Sequence, residues 1–186
     1  MKNLFSLFTC LVFLFFSGNA ICSENPLNDW DLRYNASGSL GDVAYGNGVF
    51  VAVGHAPGGT IMFSPDGNNW SPATDNAGSN STLSGLAFGE GIFVATGGHP
   101  PGEILTSSDG SNWQRQGVNA TDQIMSCATY GDGTFVAAGS KGWVVISDDG
   151  ISWIAYDTEV SGWYRGITFA NGLFVAVNTQ GNIVTS

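Results

Sequence analysis

The chain has 186 residues, 43% hydrophobic and 12% aromatic, with 27 Gly and only 3 Cys. Fifteen Asp and Glu against five Lys and Arg give a net charge of −10, which repels phosphate backbones and anionic bilayers, so no nucleic-acid partner is expected. Three cysteines cannot build a disulfide framework, so an apolar core must supply the stability.

The N-terminus carries Lys2, an apolar run from Leu4 to Phe16, then Ser17-Gly18-Asn19-Ala20. A positive start, a short apolar run and a small-residue site form a signal peptide over 1–20. Residues 21–186 remain as one domain, secreted or periplasmic. The run is shorter than the roughly 20 residues a membrane-spanning helix needs, so no stable membrane span is expected. Cys10 leaves with the signal, and one bridge between Cys22 and Cys127 is the sole pairing open to the rest.

Next comes Asn28-Asp29-Trp30, then four copies of one phrase. Each copy begins with an apolar run ending in an aromatic, a Gly-containing turn and a Phe-Val-Ala run. Tyr45 to Ala52 is the first; Phe88 to Ala95, Tyr130 to Ala137 and Phe169 to Ala176 follow. The second half of the phrase is a short apolar run, then Ser-x-Asp-Gly-x-x-Trp. It occurs at Ser64 to Trp70, Ser107 to Trp113 and Ser147 to Trp153. A strand-rich period of about 40 residues is one four-stranded propeller blade. No sustained helical period interrupts it, so the fold is all-β: a β-propeller of four repeats. In each blade strand A precedes the Gly turn, strand B is the Phe-Val-Ala run, strand C ends at the Ser, and strand D starts near the Trp. Asp and Gly suit the tight C–D turn, and each Trp wedges between blades.

The chain thus starts on a D-type Trp, Trp30, and its last phrase stops at Ser186, the end of a C strand. The phase predicts an N-terminal strand closing the last blade, because closure removes unpaired edges. A homodimer completing an eight-bladed ring, or a piece of a longer propeller, are the alternatives.

The phrase Ser-x-Asp-Gly-x-x-Trp resembles the Asp-box, or BNR, repeat of sialidase-like propellers, in a shortened variant. The match covers Asp66, Gly67 and Trp70, then Asp109, Gly110 and Trp113, then Asp149, Gly150 and Trp153, each with its preceding Ser. The resemblance implies that these residues are architectural and lie opposite the ligand face. It also implies a sialidase-like glycoside hydrolase as one reading, with an arginine triad on the substrate. Arg33 and Arg115 each follow a Trp at the start of a D strand, and no Phe-Arg-Ile-Pro motif occurs. No catalytic residue is therefore assigned, and a structural assembly module is a third reading.

What departs from the repeat is the candidate site. Lys141, Trp143, Tyr156, Trp163, Tyr164 and Arg165 gather in loops and strand starts of the last two repeats. Aromatic faces stack on sugars, and Arg bonds hydroxyls and carboxylates. The expected partner is a glycan or an extracellular protein. His55 and His99, with Glu103, lie in adjacent B–C loops without metal-ligand spacing, so no metal and no cofactor are expected. Asn35, Asn80 and Asn119 open Asn-x-Ser/Thr sequons, glycan acceptors in a eukaryotic host.

Overall fold

A computed structural model describes residues 30–36, 38–55, 60–75, 82–99, 102–116 and 123–186. The expected signal peptide, Cys22, Asn80 and Asn119 lie outside them. Arg33–Ser186 form one compact unit; of the residues before it, Trp30–Leu32 are described, and they are exposed and in no strand.

Local sequence makes each blade start as a hairpin. In all four, a two-residue turn has both residues at positive φ: Asn47 and Gly48, Glu90 and Gly91, Asp132 and Gly133, Asn171 and Gly172. This is the turn whose twist matches paired strands, and Gly takes its second position without a Cβ penalty. Across each turn two aromatics face one another, Tyr45 on Phe50, Phe88 on Phe93, Tyr130 on Phe135 and Phe169 on Phe174, with centroids 4.6 to 4.7 Å apart.

The first sheet contains β1 (Ser39–Gly46), β2 (Val49–His55), β3 (Thr60–Ser64) and β4 (Ser71–Pro72). A short β5 (Thr74–Asp75) then crosses to the second sheet, which holds β6 (Leu83–Gly89), β7 (Ile92–Gly97), β8 (Glu103–Ser107) and β9 (Asn112–Gln116). The third sheet is β10 (Met125–Gly131), β11 (Thr134–Gly139), β12 (Trp143–Ser147) and β13 (Ile154–Asp157). The fourth is β14 (Tyr164–Ala170), β15 (Leu173–Asn178) and β16 (Ile183–Thr185). Neighbouring strands within a blade pair antiparallel, and among the described strands only β5 pairs parallel, on β9. These are four blades of a β-propeller, as the repeat predicts.

Inner strands stack blade on blade: β1 on β6, β6 on β10, and β10 on β14. Core side chains fill the spaces between. Trp113 lies with Val51, Val53, Leu86 and Phe93 between the first two blades; Trp153 lies with Val94, Ile104 and Phe135 between the next two. The expected wedging of these Trp residues is therefore observed. No comparable packing joins β14 to β1. Among the described residues the fourth sheet has three strands, and residues 30–36 carry none, so those residues do not supply its fourth. Arg33 and Tyr34 instead line a cleft together with Leu40, Val43, Met62 and Trp70 of the first blade.

Candidate functional site

The two ends of the blades do different work. At one end lie the Asp-Gly turns, which repeat the same bonds. In the second blade, Ser107 Oγ donates to Asp109 Oδ1 at 3.0 Å and accepts from the Gly110 N–H at 2.9 Å. Asp109 Oδ1 then accepts the N–H groups of Ser111 (2.9 Å) and Asn112 (2.8 Å), and Trp113 Nε1 donates to the Gly110 carbonyl at 2.9 Å. The first and third blades reproduce this set around Asp66 and Asp149.

Bonds to the ionised form depress a carboxylate pKa. The Asn69 N–H and side chain and the Asn68 N–H hold Asp66 well below the ordinary value of 3.8. Partial burial opposes ionisation of Asp109, but the Asn112 side chain and the Asn112 and Ser111 N–H groups outweigh it. Asp149 is brought down to about 2 by the Ser152 and Ile151 N–H groups. Each carboxylate is thus occupied in holding its own turn.

At the other end lies the non-repeating cluster. Every A strand carries a β-bulge near its start, and in β14 it falls between Tyr164 and Gly166. A bulge leaves one residue outside the ladder and re-aims its side chain. In the fourth blade that residue is Arg165, where the other blades have Gly41, Ser84 and Ser126. Arg165 is exposed, and its Cζ stands 5.1 Å over the Trp163 ring. Ser126, the bulge residue of the third blade, fixes that ring: its Oγ accepts from Trp163 Nε1 at 2.9 Å and donates to the Tyr164 carbonyl at 2.6 Å. The result is an indole held in place with a cation on its face, a pairing stabilised by the ring quadrupole.

The other four candidates are dispersed. Tyr164 is fully buried, and its hydroxyl meets Thr158 Oγ1 at 2.9 Å, which in turn donates to the Gly142 carbonyl at 2.8 Å. That chain ties two loops to the strand. Trp143 packs against the core between the second and third blades. Lys141 is exposed in a tight 3-10 turn over Ser140–Gly142, at φ 56°. Tyr156 is half exposed and lines a cleft between the third and fourth blades, together with Tyr164. The structure brings Trp163 and Arg165 together; sequence reasoning missed Ser126, although its place in the Gly41, Ser84, Ser126, Arg165 series was a signal.

The remaining candidates are accounted for individually. His55 Nδ1 meets Thr82 Oγ1 at 2.8 Å, His99 is exposed, and the buried Glu103 carboxylate forms an ion pair with Arg115 that lacks hydrogen-bond geometry. Among the described residues no three His, Cys, Asp or Glu side chains converge on a metal-sized space. Arg33 lies beside β1, Arg115 on β9 and Arg165 on β14, three different sheets. Cys127 is a free, buried thiol whose pKa burial pushes up to about 12.

No protein-family model matches the chain, and no curated protein matches it. Solved structures do. The chain is similar to YCF48 from Cyanidioschyzon merolae, with a TM-score of 0.63 and 20% identity over 82% of this chain and 54% of that one. It is similar to YCF48 bound to D1 peptide, at a TM-score of 0.66 and 20% identity over 85% of this chain and 54% of that one. It is also similar to virginiamycin B lyase from Staphylococcus aureus, at 0.64 and 12% identity over 82% and 56%. The chain therefore spans about half the length of each of these β-propeller proteins. Likeness at such identity concerns the fold, and the Asp-box relation rests on the turn residues alone.

Proposed function

We propose that this chain is a non-catalytic binding propeller that takes an extracellular protein segment on the loop face built by Trp163 and Arg165. The observation that carries this reading is the fixed pair: an Arg on a strand bulge, stacked 5.1 Å from an indole that Ser126 locks. A held aromatic with an exposed cation on its face fits a ligand offering both an apolar surface and a carboxylate. That a structural neighbour is a YCF48 bound to D1 peptide supports a peptide over a sugar. In this reading the three Asp-Gly turns are shortened Asp boxes that brace the opposite end. The Lys2 and Leu4-to-Phe16 pattern supports export before binding.

Screening the purified protein against an acidic-peptide library and a glycan array tests the reading. Peptide hits whose binding is lost in Trp163→Ala and Arg165→Ala support it. Glycan hits alone would transfer the site to carbohydrate recognition, and hits indifferent to both substitutions would remove the site from this face.

A further inference from the structure

A second departure from the repeat lies one residue past the A-strand bulge that carries Arg165. That position is Gly85, Cys127 and Gly166 in three blades, and Asp42 in the first. The four positions share one level. They pair across their hairpins with Val53, Thr96, Ala138 and Val177, which are equivalent in the repeat. The levels also match from blade to blade. A Cβ on Gly41 would stand 3.6 Å from Ser84 Cα, one on Gly85 2.7 Å from Cys127 Cα, and Ser126 Oγ donates to the Tyr164 carbonyl at 2.6 Å. Among the four bulge residues and the four that follow them, only Asp42 and Arg165 are charged, with opposite signs.

Asp42 turns its carboxylate inward. Its Oδ1 accepts the Val43 N–H and its Oδ2 the Leu86 N–H, each at 2.8 Å. Since β6 is the end strand of its sheet, an N–H that bonds Asp42 faces away from β7 and toward the axis that the A strands line. A carboxylate has about four acceptor sites, so about two remain. Burial pushes the Asp42 pKa up from 3.8, against the pull of the Leu86 and Val43 N–H groups. A cation beside a carboxylate dehydrated in this way offsets the cost of its charge. The Cys127 thiol, raised chiefly by burial, is raised further by the charge of Asp42 and lowered by that of Arg165. Both charges thus stand within electrostatic reach of one point, a range of about 10 Å.

We propose that Asp42 is the second anchor of the loop-face site and holds the ammonium or guanidinium group of a bound segment whose carboxylate pairs with Arg165. The proposal rests on the loop-face reading and narrows its ligand to a segment that carries both charges. Arg165, exposed over the Trp163 ring, presents a fork for a carboxylate, and the half-buried Asp42 presents acceptors for a cation. With each charge within about 10 Å of Cys127, the two anchors are at most about 20 Å apart. An extended chain covers that span in about six residues, so the acidic and basic residues of the ligand fall within such a window. Opposite charges at two fixed points also set the direction in which the segment lies.

The probe is a library of N-acetylated, C-amidated octapeptides with one fixed Glu and the other positions randomised, selected on the full-length protein. The expected result is enrichment of Lys or Arg within about six residues of the Glu, lost when selection is repeated on Asp42→Asn. In the strongest peptide, norleucine replaces the basic residue, keeping an apolar stem without the charge. That change should weaken binding to wild type at least about tenfold, and binding to Asp42→Asn less than about twofold. Asp42→Asn can disturb the bond to Leu86, so its unfolding midpoint is compared with wild type; the norleucine peptide leaves the protein untouched. Equal affinity of the basic and norleucine peptides for wild type would overturn the role of Asp42. So would the same loss on wild type and on Asp42→Asn. If Trp163→Ala and Arg165→Ala still abolish binding in those cases, the loop-face reading stands without Asp42. Binding indifferent to those two substitutions, or no selected peptide at all, would remove the loop-face reading and this proposal together.

Discussion

At the scale of single residues, the molecule spends its most conspicuous side chains on turns. Asp66, Asp109 and Asp149 have pKa values below their ordinary 3.8 because backbone N–H groups, joined at Asp66 and Asp109 by the side chains of Asn69 and Asn112, bond the ionised form. A depressed folded pKa contributes stability above the unfolded value and loses it as pH falls through the folded one. Urea midpoints should therefore be flat down to about pH 4 and drop between about pH 4 and 2, with a smaller drop in Asp109→Asn. The Trp residues separate by burial. Trp113 is fully buried and Trp70 only half so. Trp113→Ala should cost about 3–5 kcal/mol in denaturant titration, and Trp70→Ala clearly less. These roles were legible in sequence, because a residue recurring at one phase of a repeat has one job. Arg165 was legible as a departure from the repeat, but its posture was not. The bulge that aims it is a property of the β14–β15 register.

At the scale of elements, a few glycines set how closely blades approach. A Cβ on Gly46 would lie 2.3 Å from the Phe88 ring, one on Gly89 2.1 Å from Tyr130, and one on Gly131 2.1 Å from Phe169. Each blade thus gives up a side chain so that the next blade's aromatic can pack on its backbone. Gly89→Ala should destabilise by about 1–3 kcal/mol through overpacking, measured by chemical denaturation. The fourth blade has Ala170 at this position, so its outer face lacks the space that the other three provide. Ala170→Gly should therefore change the same measurement by no more than the intrinsic cost of about 1 kcal/mol or less. Asn47 adds a second tie, donating to the carbonyls of Gly91 (2.7 Å) and Ser108 (2.8 Å) in the next blade. Sequence patterning gave no hint of β5. It is two residues long, follows the Pro72 that ends β4, and pairs across blades, so no periodicity marks it.

At the scale of the whole blade array, stability is unevenly shared. Leu83 and Leu86 are buried to 1% and 5% exposure, while their first-blade equivalents Leu40 and Val43 are exposed to 48% and 60%. Among the described residues the middle blades pack extensively on both faces, and the first and fourth each on one. Repeat proteins gain stability from such interfaces, so amides of β7 and β11 should outlast those of β2 and β15 in hydrogen exchange. Four repeats and their strand order were legible because blade packing is written locally, one phrase at a time. That β14 and β1 do not pack as the inner strands of neighbouring blades do was not, because the two ends of the array each occur once and leave no period in the sequence. The same distinction applies to function: the repeat explains the fold, and the loop face is defined by the few residues that break it. Its most direct test is the affinity of the strongest acidic-peptide ligand for wild type, Trp163→Ala and Arg165→Ala, each checked for an unchanged unfolding midpoint. The account predicts at least about a tenfold loss in both variants, a change of about 1.4 kcal/mol. Equal affinity across all three proteins would contradict it.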